Sequence, residues 1–191
     1  REYNDVEISK RTFLEQYVKP FRMALKAKPA MVMTAFNAID RKPISGNKEL
    51  LRDLLRDKEG FDGTVISDWG SIGQLKEQGV AADMDEAASQ AIEAGVDIDM
   101  MSPAYMLCLE KLVESGKIPK AFVDESAFRV LMMKNQLGLF ENPFAGLGKS
   151  GKLTLHNREK AYQLAGESCV LLKNEKLLPL SRKKKVIWAG P

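Results

Sequence analysis

A chain of 191 residues with 45% hydrophobic and 29% charged residues has the composition of an ordinary globular protein of one domain or slightly more, which excludes a disordered chain. The formal charge of +3 is too small to argue for nucleic acid or an acidic membrane surface. No run approaches the roughly 18 apolar residues of a transmembrane helix, and one histidine without C-x-x-C or H-E-x-x-H suggests no zinc site.

Ser9 is placed to cap a helix whose apolar stripe is Leu14, Val18, Phe21 and Leu25, with Pro20 expected to kink or divide it. Ala30 to Phe36 is a continuous apolar run, predicting a strand covered on both faces. A turn-rich loop follows from Asn37 to Gly46. Asn47 then caps a second helix carrying Leu50, Leu51, Leu54 and Leu55. Gly60 and Gly63 punctuate a turn before the β-branched strand Thr64-Val65-Ile66, and a helix is predicted over Ser71 to Gln78. Asp83 with Glu86 makes a capping pair for a helix through Ala87, Ala88, Ala91 and Ile92 that ends at Gly95. Val96 to Met100 alternates apolar with acidic residues and predicts a third strand. Helices follow at about 105–115 and 120–137, closed by Gly138.

This alternation of helices and strands argues for parallel strands joined by crossover helices. Three strands are fewer than the eight of a closed barrel, so the region is either a small open sheet or the closing part of a barrel. Residues 142–152 read as a linker. Beyond it a helix is predicted from about His156 to Ser168, then strands at 170–172 and 185–188, as if a second domain were only beginning. The run from Ser181 to Lys185 reads as a solvated turn, and Cys108 and Cys169 read as buried free thiols.

The stretch Ser67-Asp68-Trp69 carries the strongest chemical signal. A carboxylate and an indole directly after a buried strand sit where a (β/α) enzyme places its chemistry. The same Asp is also an ordinary cap for the next helix, and residue types alone leave both roles open.

Gly60-Phe61-Asp62-Gly63 with Ser67-Asp68-Trp69 resembles the nucleophile motif of glycoside hydrolase family 3. The likeness continues through Val32-Met33-Thr34-Ala35-Phe36-Asn37, Ala94-Gly95-Val96-Asp97-Ile98-Asp99-Met100, Leu137-Gly138-Leu139-Phe140 and Ser168-Cys169-Val170-Leu171-Leu172-Lys173-Asn174. Each block is weak alone, and their order and spacing make the match specific. The resemblance implies an α/β fold: residues 1–141 as the carboxyl-terminal portion (last three strands) of a (β/α)8 TIM barrel, 142–169 as linker, and 170–191 as the opening of an α/β sandwich domain.

It also implies a retaining exo-β-glycosidase, β-glucosidase-like, with Asp68 as the nucleophile that forms a covalent glycosyl-enzyme. Trp69, Phe36, Met100 and Met101 fall where the family lines its sugar pocket. Trp69 also reads as a core indole, and the methionines as core fillers. Phe36 stands where plant members have a tyrosine. Asp97 and Asp99 read as structural hydrogen-bonders. The implied partner is a β-linked glucoside or short oligosaccharide, with no cofactor, no metal, no nucleic acid and no membrane, and the parent enzyme is periplasmic or secreted by the same resemblance. The acid/base carboxylate is expected outside these residues, along with the earlier barrel strands and most of the sandwich, so the chain alone is expected to be inactive. β-Xylosidase and N-acetyl-β-glucosaminidase of the same family are alternatives, as is a non-catalytic carbohydrate-binding scaffold. A lysine-dependent aldolase barrel is disfavoured because no lysine sits in the three strand cores.

Overall fold

The chain divides into two units, residues 1–145 and 146–191. The computed structural model describes residues 3–144, 147, 155–187 and 189–190. In the first unit, strand β1 (Asp5–Val6) precedes a helical run in which Ser9 is the cap, its Oγ accepting the Thr12 N–H at 3.2 Å. The run is not divided at Pro20. It passes from α1 (Lys10–Thr12) through a π turn (Phe13–Tyr17) into α2 (Val18–Leu25). The proline ring crowds the carbonyl four residues back, here Gln16, and the wide π turn lies at that carbonyl.

Strand β2 is shorter than its apolar run, Met31–Met33. It pairs in parallel with β5 (Thr64–Ile66), Met31 opposite Thr64 and Met33 opposite Ile66. The expectation that β2 is covered on both faces is corrected here: Met31 and Met33 are 36% and 53% exposed. Val32, facing the other way, is half-buried and packs against the core. Between the two strands, the expected loop contains a small hairpin, β3 (Ala38–Ile39) against β4 (Lys42–Pro43), with β1 parallel to β3. Its turn residues Asp40 and Arg41 have φ of 49° and 63°, the paired left-handed conformation of a type I′ turn. A 3-10 turn (Ile44–Gly46) and a π helix (Glu49–Lys58) follow, and the Asn47 side chain accepts the Leu50 N–H at 3.2 Å.

The helix expected over Ser71–Gln78 is reduced to α3 (Gln74–Glu77), with turns occupying 69–73. Helix α4 (Met84–Ala94) is capped by Asp83, whose Oδ1 accepts the Glu86 N–H at 2.9 Å; Glu86 reaches back to the Ala82 N–H at 2.7 Å rather than to the cap residue itself. It ends on Gly95 in the left-handed region, φ 94°. Its buried face, Ala87, Ala88, Ala91 and Ile92, is at most 1% exposed and packs against α5 (Ala104–Glu114). Helix α6 (Lys120–Gln136) follows, with Gly138 at φ 68° just past its end. Ile72, Leu75, Ile92, Ile118, Val65 and Val96 form the fully buried centre.

The third strand predicted at 96–100 is corrected to a single parallel bridge, Ile66 to Ile98. The cause is Asp97. Its carboxylate takes the Val65 N–H at 2.8 Å, and the Val65 carbonyl accepts both the Asp97 and Ile98 amides. A side chain thus stands in for a rung of the ladder.

In the second unit, helix α7 (Leu155–Ser168) forms as expected. Residues 170–172 and 185–187 are irregular rather than strands, with Val170, Leu172 and Ile187 exposed at 77%, 92% and 91%. A strand needs a partner for its backbone groups, and the described residues of this unit supply none. Trp188 and most of the predicted 142–152 linker lie outside the described residues. Cys108 is buried as expected, whereas Cys169 is exposed, since the described residues of this unit form no buried core around it. None of the described helices is long and apolar enough to cross a membrane.

Candidate active site

The ends of β2, β5 and the 96–100 segment converge on Asp68. Past its last residue, β5 stays in register: Thr34 N–H donates to the Ile66 carbonyl (2.9 Å) and Ser67 N–H to the Ile98 carbonyl (2.9 Å). Ser67 is fully buried; its Oγ accepts the Met100 N–H at 2.8 Å and donates to the Asp68 carbonyl at 3.0 Å. Gly70 N–H donates to the Met100 carbonyl at 2.7 Å. Asp68 is therefore clamped to both neighbouring segments through its flanking residues.

The Asp68 side chain is half-buried. Its Oδ1 accepts the N–H of Trp69 at 2.7 Å, and Oδ2 has no hydrogen-bond partner among the described residues. It does not cap the following helix with its carboxylate; the Ser71 N–H is taken by the Asp68 main-chain carbonyl instead, at 3.0 Å. One oxygen is anchored and the other is available.

The remaining candidates take different positions. Trp69 is 60% exposed, so its indole stands in solvent beside Asp68 rather than in the core. Met100 is half-buried and bonds through its backbone to Ser67 and Gly70. Met101 is 63% exposed with φ 67°, a left-handed backbone that is uncommon for a non-glycine residue. Phe36 is stacked on Tyr3 with ring centroids 4.8 Å apart.

Two acidic residues beside the site are engaged structurally. The Asp97 side chain is fully buried; it accepts from Arg56 Nη2 at 2.6 Å and from Arg129 Nη1 at 3.0 Å as well as from Val65. Arg56 also donates to the carbonyls of Gly63 and Gly95, both at 2.9 Å. Burial holds the Arg56 guanidinium below its ordinary value, against the pull of Asp97. Glu125 joins the cluster through Arg52 and Arg129; burial alone would raise it, and those two guanidiniums outweigh burial and hold it lower. Asp99 binds the Ser102 hydroxyl and the Tyr105 N–H, anchoring the start of α5. The Tyr105 hydroxyl donates to the Val96 carbonyl at 2.8 Å, and burial followed by Asp99 and Asp97 raises it well above the ordinary phenol value. The alternating pattern of 96–100 signalled the acidic pair. The arginines that hold Asp97 come from other helices, and sequence reading did not find them.

An apolar groove of about 410 Å³ lies along α2, β2 and the π helix, lined in part by Val18, Phe21, Val32, Met33 and Leu51. Neither this groove nor a more polar one bordered by Lys42, Glu49 and Asp53 includes Asp68 or Trp69. The Asp68 end is open to solvent in this chain.

Comparison with known proteins fits this arrangement. Residues 1–133 match the model of the glycosyl hydrolase family 3 N-terminal domain, a TIM-barrel-like fold. The chain is 36% identical to a periplasmic β-glucosidase of Salmonella typhimurium over all of its own length and 26% of that protein. It is 37% identical to a putative β-xylosidase of Formosa agariphila over 97% of its length and 26% of the relative. A crystal structure of the Listeria innocua β-glucosidase in complex with glucose superposes with a TM-score of 0.80 at 43% identity, over 94% of this chain and 25% of that one. The chain thus spans about a quarter of the length of these relatives. With its family model matched from the first residue through most of α6, the chain belongs to glycosyl hydrolase family 3.

Proposed function

We propose that the chain is the Asp68-bearing part of a retaining β-glycosidase, β-glucosidase-like in its preference for terminal β-glucosyl residues. The carrying observation is the Asp68 side chain: half-buried at a strand end, one oxygen held by the Trp69 N–H, the other unoccupied, with an exposed indole alongside. In a retaining mechanism such a carboxylate attacks the anomeric carbon as the leaving group departs, and a second carboxyl group about 5–5.5 Å away first protonates the leaving oxygen and later activates water. On this reading neither Asp97 nor Asp99 is that second group. Asp97 and Asp99 already hold donors of the scaffold, which leaves them poor proton shuttles. On this reading β2, β5 and the 96–100 segment are the sixth, seventh and eighth barrel positions, 142–169 is the linker, and 170–191 opens a sandwich domain.

Trp69 offers a flat apolar face to a sugar ring, and Met100 and Met101 border the same rim. Phe36, stacked on Tyr3, contributes shape without a hydroxyl. The similarity to a β-xylosidase at 37% identity favours a pentoside as the second reading.

The test places all 191 residues in the matching quarter of the Listeria innocua enzyme and exposes the chimera to a 2-deoxy-2-fluoro-β-glucoside with a dinitrophenolate leaving group. The expected result is a mass increase of one fluoroglucosyl group on the peptide containing Asp68, absent in Asp68→Ala. Stable folding with glucose binding but no label would support a carbohydrate-binding scaffold instead, and faster labelling by the fluoroxyloside would favour the pentoside.

A further inference from the structure

A buried line of hydroxyls runs beneath the Asp68 peptide. Thr34, Ser45 and Ser71 are at most 3% exposed and come from three segments: the end of β2, the 3-10 turn and the turn after Asp68. Thr34 Oγ1 lies 2.8 Å from Ser45 Oγ, which lies 2.7 Å from Ser71 Oγ. Thr34 Oγ1 also accepts the N–H of Asp68 at 3.2 Å.

Three hydroxyls in a dry interior are costly unless they bond one another. Valine and alanine would fill the same volumes without that requirement, so the row needs a reason beyond packing. The reason lies at the strand end. The paired register of β2 and β5 stops at Met33 and Ile66. One residue later Thr34 N–H still reaches the Ile66 carbonyl, but the next amide on β5's side that points towards β2, that of Asp68, meets a side chain rather than a main-chain carbonyl. The Asp68 carbonyl is held from the other side by Ser67 O–H and Ser71 N–H, both at 3.0 Å. With its peptide groups fixed on each side, the position of the carboxylate depends on its own two side-chain torsions.

We propose that Thr34 is a positioning residue for Asp68: its hydroxyl, braced by Ser45 and Ser71, holds the peptide that aims the carboxylate at an anomeric carbon. Thr34 does not touch the substrate. The proposal deepens the glycosidase reading and rests on Asp68 being the nucleophile.

The experiment uses the full chain within the same Listeria innocua chimera, with 2,4-dinitrophenyl 2-deoxy-2-fluoro-β-glucoside as the probe. In the measured step an Asp68 oxygen bonds to the anomeric carbon while the bond to dinitrophenolate breaks, the leaving group taking the electron pair. No proton moves, so the rate reports the nucleophile and not the acid. Thr34→Val keeps the β-branched shape without the hydroxyl, Thr34→Ser keeps the hydroxyl, and Ser45→Ala removes the middle brace.

Thr34→Val is expected to lower the saturating inactivation rate about 10-fold or more, since a misplacement of about 1 Å can cost about 100-fold. The probe's binding constant should move less than about 2-fold, the signature of a contribution made at the transition state rather than in binding. Thr34→Ser should recover the rate to within about 3-fold of wild type, and Ser45→Ala should fall between them. In the 191-residue chain the Asp68 amide should exchange with solvent faster in Thr34→Val than in Thr34→Ser. Labelling of Thr34→Val at the wild-type rate overturns the proposal, and so does an equal loss in the Val and Ser variants, which would mark a packing role. If Thr34→Val does not fold, Ser45→Ala decides: a wild-type rate there overturns it. If the unmutated chimera labels at a residue other than Asp68, the glycosidase reading fails first and this proposal with it.

Discussion

Asp97→Ala strands two guanidinium groups and one amide at a single stroke. In the intact chain one fully buried carboxylate accepts from Arg56, Arg129 and the Val65 N–H. Removing one partner of a buried ion pair costs about 3–5 kcal/mol, chiefly because the other charge is left in the interior. The orphaned Val65 amide adds about 1–3 kcal/mol. These contributions share one carboxylate and do not simply add, so a loss of about 4 kcal/mol is expected. Against a total stability of about 5–15 kcal/mol for a domain, that is a large part of what holds the first unit together. With a urea slope of about 2 kcal/mol per molar, the unfolding midpoint should fall by about 2 M. Circular dichroism in a urea series on the full chain measures it. Asp97→Asn should lie between, because its amide oxygen still accepts from Val65 while the charge is gone. A midpoint within about 0.3 M of wild type for Asp97→Ala would falsify the view that this carboxylate ties the strands together.

Asp68→Ala offers the opposite profile. It loses one hydrogen bond of a half-buried group, so stability should change by no more than about 1.5 kcal/mol in the same urea series, and a larger loss would make Asp68 a structural residue first. The 191-residue chain alone should leave a nitrophenyl β-glucoside unhydrolysed; turnover above background that disappears in Asp68→Ala would show that the chain is self-sufficient. Gly63→Ala should cost about 1–3 kcal/mol by overpacking, because the added methyl would sit 2.6 Å from both the Ala30 carbonyl and the Phe61 ring. An unchanged melting temperature would mean that this turn relaxes freely.

Alkali should weaken the fold. Burial, with Asp85 adding to it, pushes the Cys108 thiol from 9.0 to about 11, and burial also raises Tyr105. Between those pH values the unfolded chain has released protons that the native one retains, so stability is complete below pH 9 and declines as the pH climbs towards 11. Thermal melts at pH 8, 9.5 and 10.5 test the sign, and a melting temperature that rises across the series contradicts it. In the native chain at pH 8, Cys169 should react promptly with a thiol reagent and Cys108 only after denaturation, in keeping with their exposure.

Several helices were legible because they carry their own punctuation. Ser9, Asp83 and Asn47 cap where their side chains suggested, and Gly95 and Gly138 turn left-handed just past the ends. Strand ends were less legible because pairing, not composition, sets them. The apolar run of seven residues at 30–36 yields a three-residue strand, since past Ile66 the Asp68 amide turns to the Thr34 hydroxyl rather than to a main-chain carbonyl. At 96–100 the alternation suggested a strand, yet the buried Asp97 carboxylate took the Val65 N–H and left one bridge. At 170–172 and 185–187 β-type residues without a partner formed no strand. At the candidate site, a carboxylate and an indole after a buried run stood out by type. The hydroxyls of Thr34 and Ser45 did not, because they meet Asp68 only through contacts distant in the sequence.

The shortness of the β2–β5 pair bears on the order in which the first unit takes shape. Helices α4 and α5 are neighbours along the chain and bury their faces on each other, so their contacts can form early with little loop to close. The two strands must be brought together across the hairpin and the π helix, and three rungs repay that search poorly. Maturation should therefore run from the helical side towards the sheet. The rim around Asp68 would be completed last and would be the first to loosen, placing the Asp68 carboxylate at the late-setting edge of an early-setting scaffold.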